Sequence, residues 1–350
     1  MNQFSQEKIL HHLDRVVEWQ QSGASRPITY ELDLTNICNS RCSFCFGFSG
    51  AVSDKSFMTL VEAKNIIKQI SDMGGKGLNF TGGGEPLCSS STIEAVRYAK
   101  KCKLDVGFIT NGILITPENA QILVDCCTWI RVSLDAGSRE TYEITHGLNS
   151  NTFDQVKNNI ALLVRCKKSS GSKVTIGTGF ITFPAVKGDM IKFVKLSKKL
   201  KVDYAQFRPL LKKFEQKEIN MVPDKNILKI IDRCKTLASP GFSVVSSLHK
   251  YNAMRNDSVN RNYSVCNGHH FAAVIAADRK MYLCCHMRGM KKYCIGDLAT
   301  HTLSQIWKSS RRRQVYKQID FSDCPLLCRC DGFNKILWHM EKKQDHINFL

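Results

Sequence analysis

The stretch Cys38-Asn39-Ser40-Arg41-Cys42-Ser43-Phe44-Cys45 carries three cysteines within eight residues, spaced C-x3-C-x2-C. It directly follows residues 29–34, where apolar and polar residues alternate as in a half-buried strand. Thiolates bind iron–sulfur clusters and zinc, and a tight loop can aim three of them at adjacent corners of an iron–sulfur cube. With no fourth ligand nearby, one corner stays open for chemistry. The spacing also suits a zinc knuckle that lacks a ligand, or three buried cysteines without a metal.

A glycine-rich stretch, Thr81-Gly82-Gly83-Gly84-Glu85-Pro86, ends the next predicted strand. The three-cysteine motif, with an aromatic residue before its third cysteine, resembles the signature of the radical S-adenosylmethionine (SAM) enzymes. The glycine-rich stretch resembles the SAM-binding motif of that family. The resemblance covers residues 28 to about 210 and returns from 266 to 330. The two motifs together are specific, whereas either alone is weak.

The resemblance implies a set of cofactor contacts. Cys38, Cys42 and Cys45 would hold a [4Fe–4S] cluster whose fourth iron binds the amino and carboxylate groups of SAM. In the family, one electron from the reduced cluster cleaves SAM to methionine and a 5′-deoxyadenosyl radical, which removes a hydrogen atom from the substrate. An external one-electron donor such as flavodoxin or ferredoxin is therefore expected. The expected SAM contacts are Phe44 at the adenine, the backbone of Gly82, Gly83, Gly84 and Glu85 at the methionyl amine, and Ser133 and Asp135 at the ribose or carboxylate.

Length and charge bound the class of protein. A chain of 350 residues suggests two or three domains, and no run of eighteen apolar residues predicts a membrane helix. The polar first 21 residues lack a signal-peptide core, so we expect a cytoplasmic protein without a membrane partner. The net charge of +19 favours anionic partners, such as phosphorylated or nucleotide-linked metabolites or nucleic acid. The lysines are spread along the chain, which suits a solvated surface equally well.

Strand and helix signals alternate through the first two thirds of the chain. They predict an α/β fold, a partial (β/α)6 barrel with a parallel sheet, which the resemblance also implies. A small α+β domain for an auxiliary cluster follows it. The six predicted strands are residues 29–34, 77–81, 106–110, 129–135, 174–181 and 204–210. The predicted divisions are a helical extension 1–27, the barrel 28–211, a bridging segment 212–262 and the auxiliary-cluster domain 263–350.

Polar residues gather where these strands end. In parallel α/β folds the carboxyl edge of the sheet hosts the ligand site, because loops and helix N-termini converge there. The guanidinium of Arg208 can bind a phosphate or carboxylate there, or pair with a neighbouring acidic side chain. The residues expected at this edge are Thr81, Asn111, Ser133, Asp135, Thr178 and Arg208.

A second group of cysteines lies in the last quarter of the chain. A predicted hairpin around residues 278–280 brings Cys266 and Cys284 together at its open end. Four thiolates in two pairs suit a [4Fe–4S] cluster, or zinc on ligand softness alone. The arrangement resembles the SPASM and twitch modules of radical SAM enzymes, which hold two auxiliary clusters and one, respectively. No cysteine follows Cys330, so one auxiliary cluster is expected. The expected ligands are Cys266, Cys284, Cys324 and Cys328, with Cys285 and Cys330 as rivals.

Three functions are compatible with these features. The first is a radical SAM oxidoreductase or mutase that acts on a small polar or anionic molecule, a carbohydrate or nucleotide-linked metabolite, by dehydrogenation, epimerisation or elimination. The second is a radical SAM maturase of a ribosomally made peptide. The lack of an obvious peptide-recognition domain before Cys38 counts mildly against this second function. The third is a non-enzymatic iron–sulfur or zinc protein that binds nucleic acid. Reductive cleavage of SAM separates the third from the others, and the substrate separates the first two.

Overall fold

The structure is a computed structural model. It describes residues 5–45, 55–210, 225–247, 250–251, 261–325, 327–342, 345 and 348. Parts of the predicted bridging segment, and the end of the predicted C-terminal domain, lie outside the described residues. No helix within the described ranges is long and apolar enough to cross a lipid bilayer.

Ten strands form a single sheet in the order β10-β9-β8-β1-β2-β3-β4-β5-β6-β7. Neighbours from β8 through β1 to β7 run parallel, whereas β9 is antiparallel to both β8 and β10. All six predicted barrel strands are present, and β7 extends the row. The strands are β1 Thr29–Asp33, β2 Gly77–Thr81, β3 Asp105–Thr110, β4 Trp129–Ser133, β5 Thr175–Thr182, β6 Tyr204–Pro209, β7 Ser243–Ser246, β8 Ala272–Ile275, β9 Lys280–Tyr282 and β10 Cys294–Asp297.

Helices connect the parallel strands and cover one face of the sheet. The α-helices are α1 Leu13–Ser22, α2 Leu60–Asp72, α3 Thr92–Lys101, α4 Pro117–Cys126, α5 Arg139–His146, α6 Asn151–Ser170, α7 Met190–Lys199, α8 Lys225–Lys235, α9 Leu303–Lys308, α10 Ser310–Lys317 and α11 Asp331–Glu341. Short 3-10 helices lie at Gln6–His11, Pro86–Cys88, Pro184–Asp189, Gly268–His270, Cys285–Met287, Lys291–Tyr293 and Phe321–Asp323.

Side chains alternate between the two faces of the parallel strands. Four side chains on one face are fully buried and belong to one core with the surrounding helices: Leu32, Phe80, Phe108 and Val132. Residues of the other parity, such as Arg131, point to the inner face of the open barrel. The apolar layer stabilises the fold, and the polar inner face is left for the site.

The C-terminal cysteine-bearing part joins the barrel through the sheet itself. Strand β8 pairs in parallel with β1, with Thr29 opposite Ala272, so the predicted hairpin is present and extends the open edge of the barrel. Pairing of this kind protects an edge strand that would otherwise expose unpaired backbone groups. This part is α+β as predicted, and it shares one sheet with the barrel. The three boundaries between the four predicted divisions remain predictions.

The N-terminal helical extension buries only part of its apolar residues. Leu13 and Val17 are 57% and 46% exposed, whereas Val16 and Trp19 are buried. The reason is tertiary: Val16 and Trp19 belong to a small hydrophobic cluster with Phe271, which directly precedes β8. The extension therefore contacts the C-terminal part of the chain.

Two further expectations need correction. Thr178 is not at the carboxyl edge of the sheet, because it lies in the middle of β5 and its hydroxyl bonds the Ser197 hydroxyl of α7 at 2.8 Å. The sequence from Ser304 to Ile319 also predicts a single helix, whereas the structure has two helices there, α9 and α10, which meet at Ser309.

Candidate functional site

The three-cysteine loop rests on the end of α5. The backbone N–H of Arg41 donates to the carbonyl of His146 at 2.9 Å, and that of Ser43 donates to the carbonyl of Thr145 at 3.1 Å. Gly147 ends α5 in the left-handed conformation, with φ +61°. A Cβ at this position would lie 2.8 Å from the carbonyl oxygen of Arg41, so glycine allows the loop to approach.

The thiols of Cys38, Cys42 and Cys45 share one neighbourhood at the carboxyl edge of the sheet. Burial raises the pKa of Cys42, and the nearby Asp135, Cys45 and Cys38 raise it further. A turn holds the last two together, because the N–H of Cys45 donates to the carbonyl of Cys42 at 3.1 Å. Cys38 is the exposed member, and the other two are partly buried. The structure thus brings the three predicted thiols together and places Asp135 beside them.

The glycine-rich stretch packs directly against the chain that leads into the cysteine loop. The N–H of Gly84 donates to Thr35 at 2.9 Å, and the N–H of Glu85 donates to Ile37 at 3.0 Å. A Cβ at Gly84 would lie 2.0 Å from the carbonyl oxygen of Ile37, a distance that no arrangement tolerates without moving the backbone. The conformation therefore requires glycine at 84. It holds the two predicted SAM-binding segments side by side.

The side chain of Glu85 points into the protein. Its carboxylate accepts hydrogen bonds from the Thr110 hydroxyl at 2.6 Å, the Asn111 N–H at 2.7 Å and the Leu87 N–H at 3.2 Å. Burial raises the pKa of Glu85 to about 7, against the lowering effect of these three donors. This side chain braces the loop to β3, which leaves its backbone as the part able to contact a ligand.

Asn111 connects this brace to the cysteine loop. Its side-chain amide donates to Oδ1 of Asn39 at 2.7 Å and to Oγ of Ser40 at 3.1 Å. Asn39 and Ser40 lie between the first two cysteines of the motif. The sequence placed Asn111 at the carboxyl edge, and the structure adds that it orients the cysteine loop.

Phe44 sits in an aromatic group that includes a histidine not predicted from sequence. The Phe44 ring lies 6.2 Å from Phe183 and edge-on to His146 at 6.3 Å. His146 also stacks on Tyr142, with ring centroids 4.1 Å apart, and its Nε2 is 3.1 Å from the carbonyl oxygen of Ser133. Burial lowers the pKa of His146 to about 4, so the ring is neutral near pH 7. The signal available in the sequence was Gly147, a typical residue just beyond a helix end.

Asp135 presents a free carboxylate oxygen to this edge. Its backbone is in the left-handed region with φ +47°, and its Oδ1 accepts from the N–H of Ile181 at 2.5 Å. Its Oδ2 is buried and receives no hydrogen bond from the described residues. Burial raises the pKa of Asp135 to about 6, and Arg208 opposes that rise. A bound molecule with hydroxyl or N–H donors would satisfy this oxygen, which fits the predicted ribose contact.

The predicted auxiliary thiols also converge. The pKa of Cys284 lies well above its ordinary value because of burial and because Cys285, Cys266, Cys328 and Cys324 lie near it. Cys266 belongs to the same group, since burial raises its pKa to about 12 and Cys328 and Cys324 contribute. Cys294 lies apart, with its thiol 3.5 Å from the carbonyl oxygen of Gly296 in β10. All four predicted ligands are therefore in one place.

Asn334 of α11 positions the Cys266 segment. Its Oδ1 accepts from the N–H groups of Asn267 at 2.6 Å and Gly268 at 2.9 Å, and its own N–H donates to the carbonyl of Cys330 at 2.9 Å. Cys328 and Cys330 also lie close together, and the neighbouring Cys330 thiol lowers the pKa of Cys328. Cys330 therefore remains a rival to Cys328.

A buried ionic bridge runs between the two sites. Arg288 contacts Asp33 and Glu31 of β1, and Arg329 contacts Glu31 as well. The backbone of Gly83 in the glycine-rich stretch lies near Asp33 and lowers the pKa of its carboxyl, against the rise caused by burial. Arg329 lies between Cys328 and Cys330. The bridge thus connects the predicted SAM loop with the auxiliary thiols.

Two family models match the chain, and they coincide with the two thiol sites. The radical SAM superfamily model matches residues 32–186, and the SPASM iron–sulfur cluster-binding domain model matches residues 266–331. The chain is a radical SAM protein with a SPASM domain. Its cofactors are therefore SAM, the SAM-binding [4Fe–4S] cluster and an auxiliary [4Fe–4S] cluster, as predicted.

The relatives of this radical SAM protein have names that refer to different reactions. The mycofactocin maturase MftC of Mycolicibacterium smegmatis is 34% identical over 137 residues, which is 39% of this chain and 34% of the relative, so the match spans about a third of that protein. A GTP 3′,8-cyclase of Clostridium perfringens is 28% identical over 222 residues, covering 62% of this chain and 66% of the relative.

Streptococcus suis SuiB bound to its precursor peptide SuiA has the same fold. The TM-score is 0.69 at 14% identity, over 89% of this chain and 72% of SuiB. At this identity the likeness concerns the fold, and it extends across both the barrel and the C-terminal part.

The described donors form no ready-made site for a single metal ion. No group of three or more His, Cys, Asp or Glu side chains within the described ranges is arranged to bind one metal ion. A [4Fe–4S] cluster makes a different demand, because each thiolate binds a separate iron at a corner of the cube. The groups around Cys42 and Cys284 each bring together at least three thiols that could act as such ligands. The zinc alternative finds no preformed site in the described part of the chain.

Proposed function

We propose that this protein is a radical SAM maturase that modifies a ribosomally made peptide. The observation that carries the proposal is its 34% identity to MftC, a relative named as a maturase. The shared fold with SuiB, a protein crystallised with a precursor peptide, supports the same substrate class. The two matched domains also count against the third sequence-based hypothesis, a non-enzymatic nucleic-acid-binding protein.

Each site has a distinct role in this proposal. Cys38, Cys42 and Cys45 would hold the SAM-binding cluster, and Cys266, Cys284, Cys324 and Cys328 would hold the auxiliary one. The bound groups supply one-electron chemistry that removes a hydrogen atom from an unactivated carbon.

The protein's own residues orient the reactants. Phe44, in its aromatic group with His146, would offer a flat apolar surface to the adenine. The Gly82–Gly84 backbone would contact the methionyl end of SAM, and Asp135 would offer its free oxygen to the ribose. Ser133 stays an expected contact, and its carbonyl is held by His146.

The favoured substrate of the sequence-based prediction, a carbohydrate or nucleotide-linked metabolite, receives less support than a peptide. The specific observation in favour of a nucleotide is the 28% identity to GTP 3′,8-cyclase over 222 residues. A nucleotide is therefore the second candidate substrate, and one experiment should test peptides and nucleotides together.

The test is product analysis by mass spectrometry after anaerobic incubation with SAM, a reductant and a candidate substrate. The candidates are peptides encoded by short open reading frames beside the gene and, in parallel, GTP. We expect a mass change in a peptide, dependent on SAM, together with 5′-deoxyadenosine. A GTP-derived product, with every peptide unchanged, would overturn the proposal in favour of the second candidate.

A further inference from the structure

Two arginines lie side by side on the inner face of the open barrel. Arg131 of β4 and Arg208 of β6 flank β5, and a Cβ placed on Gly179 of β5 would lie 3.3 Å from Nη2 of Arg208 and 3.5 Å from Cδ of Arg131. Both side chains therefore extend over the space that the glycine leaves open. Arg131 also reaches across β5 to Gln206, with Nη1 3.2 Å from Oε1.

The neighbouring glycine serves the same purpose. A Cβ at Gly177 would lie 2.1 Å from the ring of Tyr204, so an alanine there would displace that ring. Residues 177 and 179 point to the inner face, since Thr178 between them contacts α7. At Gly177 and Gly179, strand β5 therefore lines the barrel with backbone alone, and its two neighbouring strands fill the space there with polar groups.

Neither arginine has an acidic partner among the described residues. The Nε atoms of Arg131 and Arg208 are buried and form no hydrogen bond. Glu31 and Asp33, the inner-face carboxylates of β1, are paired with Arg288 and Arg329 instead. The ion pair that was one prediction for Arg208 is therefore not found in the described part of the chain.

The surroundings favour an added negative charge. Burial and the adjacent Arg208 lower the pKa of Arg131 to about 9, because both make a positive charge at this position less favourable. Asp135 is close enough for Arg208 to influence its pKa, and it in turn lies near Cys42. Lys250 adds another positive charge near Arg208. An anion at the arginines would thus lie below the predicted SAM site.

We infer that the Arg131–Arg208 pair binds a carboxylate of the substrate and fixes its position beneath the SAM site. The inference rests on the proposed function, because the anionic groups of an unmodified peptide are carboxylates. A planar carboxylate matches the two-pronged hydrogen bonding of a guanidinium, and the unpaired Nε atoms supply donors for it. The side chain of an Asp or Glu residue of the peptide has the required chemistry.

A randomised peptide mixture tests this. Hexapeptides with acetylated and amidated ends are passed over immobilised reconstituted protein with SAM bound, and retained peptides are sequenced by mass spectrometry. Because the ends are blocked, the only carboxylates belong to Asp and Glu side chains. We expect Asp and Glu to exceed Asn and Gln about tenfold at one position, the factor expected for a hydrogen-bonded charged group.

Three variants separate the possible outcomes. Arg208→Gln should remove the acidic preference, and Arg208→Lys, which keeps the charge and loses the fork, should weaken it. Arg97→Gln changes an exposed arginine of α3 and should leave the preference intact. Circular dichroism on each variant verifies the fold.

Retention without an acidic preference would overturn the carboxylate site while leaving peptide binding in place. A different result would be that the column retains no peptide, that the protein binds GTP, and that Arg208→Gln abolishes GTP binding. Both the carboxylate inference and the proposed function would then fail. The pair would then be a phosphate site.

Discussion

The guanidinium of Arg288 joins Asp33 across the boundary between the two cysteine-bearing parts, with Nε 2.5 Å from Oδ2. The Asp33 side chain is 0% exposed and that of Arg288 is 10% exposed. Burial raises the pKa of Asp33 to about 7, and Arg288 opposes that rise. The pair therefore fixes β1 to the C-terminal part, in addition to the β1–β8 backbone pairing.

Arg288→Gln should destabilise the protein by about 3–5 kcal/mol, because it leaves a buried carboxylate without its partner. The midpoint of urea unfolding of the reconstituted protein measures this. Arg97→Gln, on an exposed arginine, should change stability by less than about 0.5 kcal/mol. Adding Asp33→Asn to Arg288→Gln should recover part of the loss. If the double variant were less stable by the sum of both single effects, the two residues would not be coupled.

Gly84→Ala should disrupt the predicted SAM loop. The added Cβ would lie 2.0 Å from the backbone of Ile37, and a clash with backbone cannot be relieved by rotating a side chain. We expect a loss of about 1–3 kcal/mol in stability and weaker SAM binding, measured by equilibrium dialysis. Gly188→Ala is the matched control, because nothing lies within 4 Å of its added Cβ. Equal SAM affinity in both variants would show that this loop does not contact SAM.

The strands could be predicted because the side of the sheet that faces the helices is buried. Apolar residues therefore recur at every second position, and this pattern is visible within each strand's own sequence. Leu32 and Phe80 illustrate this. The first thiol group could likewise be predicted, since Cys38, Cys42 and Cys45 lie within eight residues. The stretch Thr59-Leu60-Val61-Glu62 is another local signal, because it predicts a capping box, and the structure has that capping box at the start of α2.

Features that depend on distant contacts could not be predicted. Nothing near Asn111 in sequence indicates that its amide reaches Asn39, 72 residues away. Arg288 and Asp33 are 255 residues apart. Val61 fitted the apolar pattern of α2 and is nevertheless 78% exposed, because burial depends on what packs against a helix face.

Loss of an auxiliary thiol should uncouple the two sites. Cys266→Ala or Cys328→Ala should remove the second cluster, while 5′-deoxyadenosine still forms and the substrate-derived product falls steeply. Cys294→Ala is the control, since this thiol lies apart from the Cys284 group. Iron content and liquid chromatography of both products measure the effect. Undiminished product without the second cluster would exclude a role for it.

Cys330→Ala addresses the rival ligand. Little effect on iron content would assign the ligand role to Cys328, and loss of the second cluster would assign it to Cys330. Because a lost cluster can also unfold the surrounding domain, circular dichroism and SAM binding have to show an intact barrel in every variant.

His146 should make folding sensitive to acid. Burial lowers its pKa to about 4 in the folded protein, below the ordinary value near 6.5. As pH falls through this window the unfolded chain takes up a proton that the folded chain does not, so stability is lost by about 3 kcal/mol. His146→Gln should lack this contribution, whereas His301→Asn, at an exposed position, should keep it. Parallel curves of unfolding free energy against pH for wild type and His146→Gln would contradict the assignment.

The most direct test of the account is the iron content and SAM cleavage of the protein after anaerobic reconstitution. We predict about eight irons per chain, four at each thiol group, and reductive formation of 5′-deoxyadenosine from SAM. Replacing Cys38, Cys42 and Cys45 together by alanine should leave about four irons and abolish that formation. Unchanged SAM cleavage in this triple variant would contradict the account at its centre.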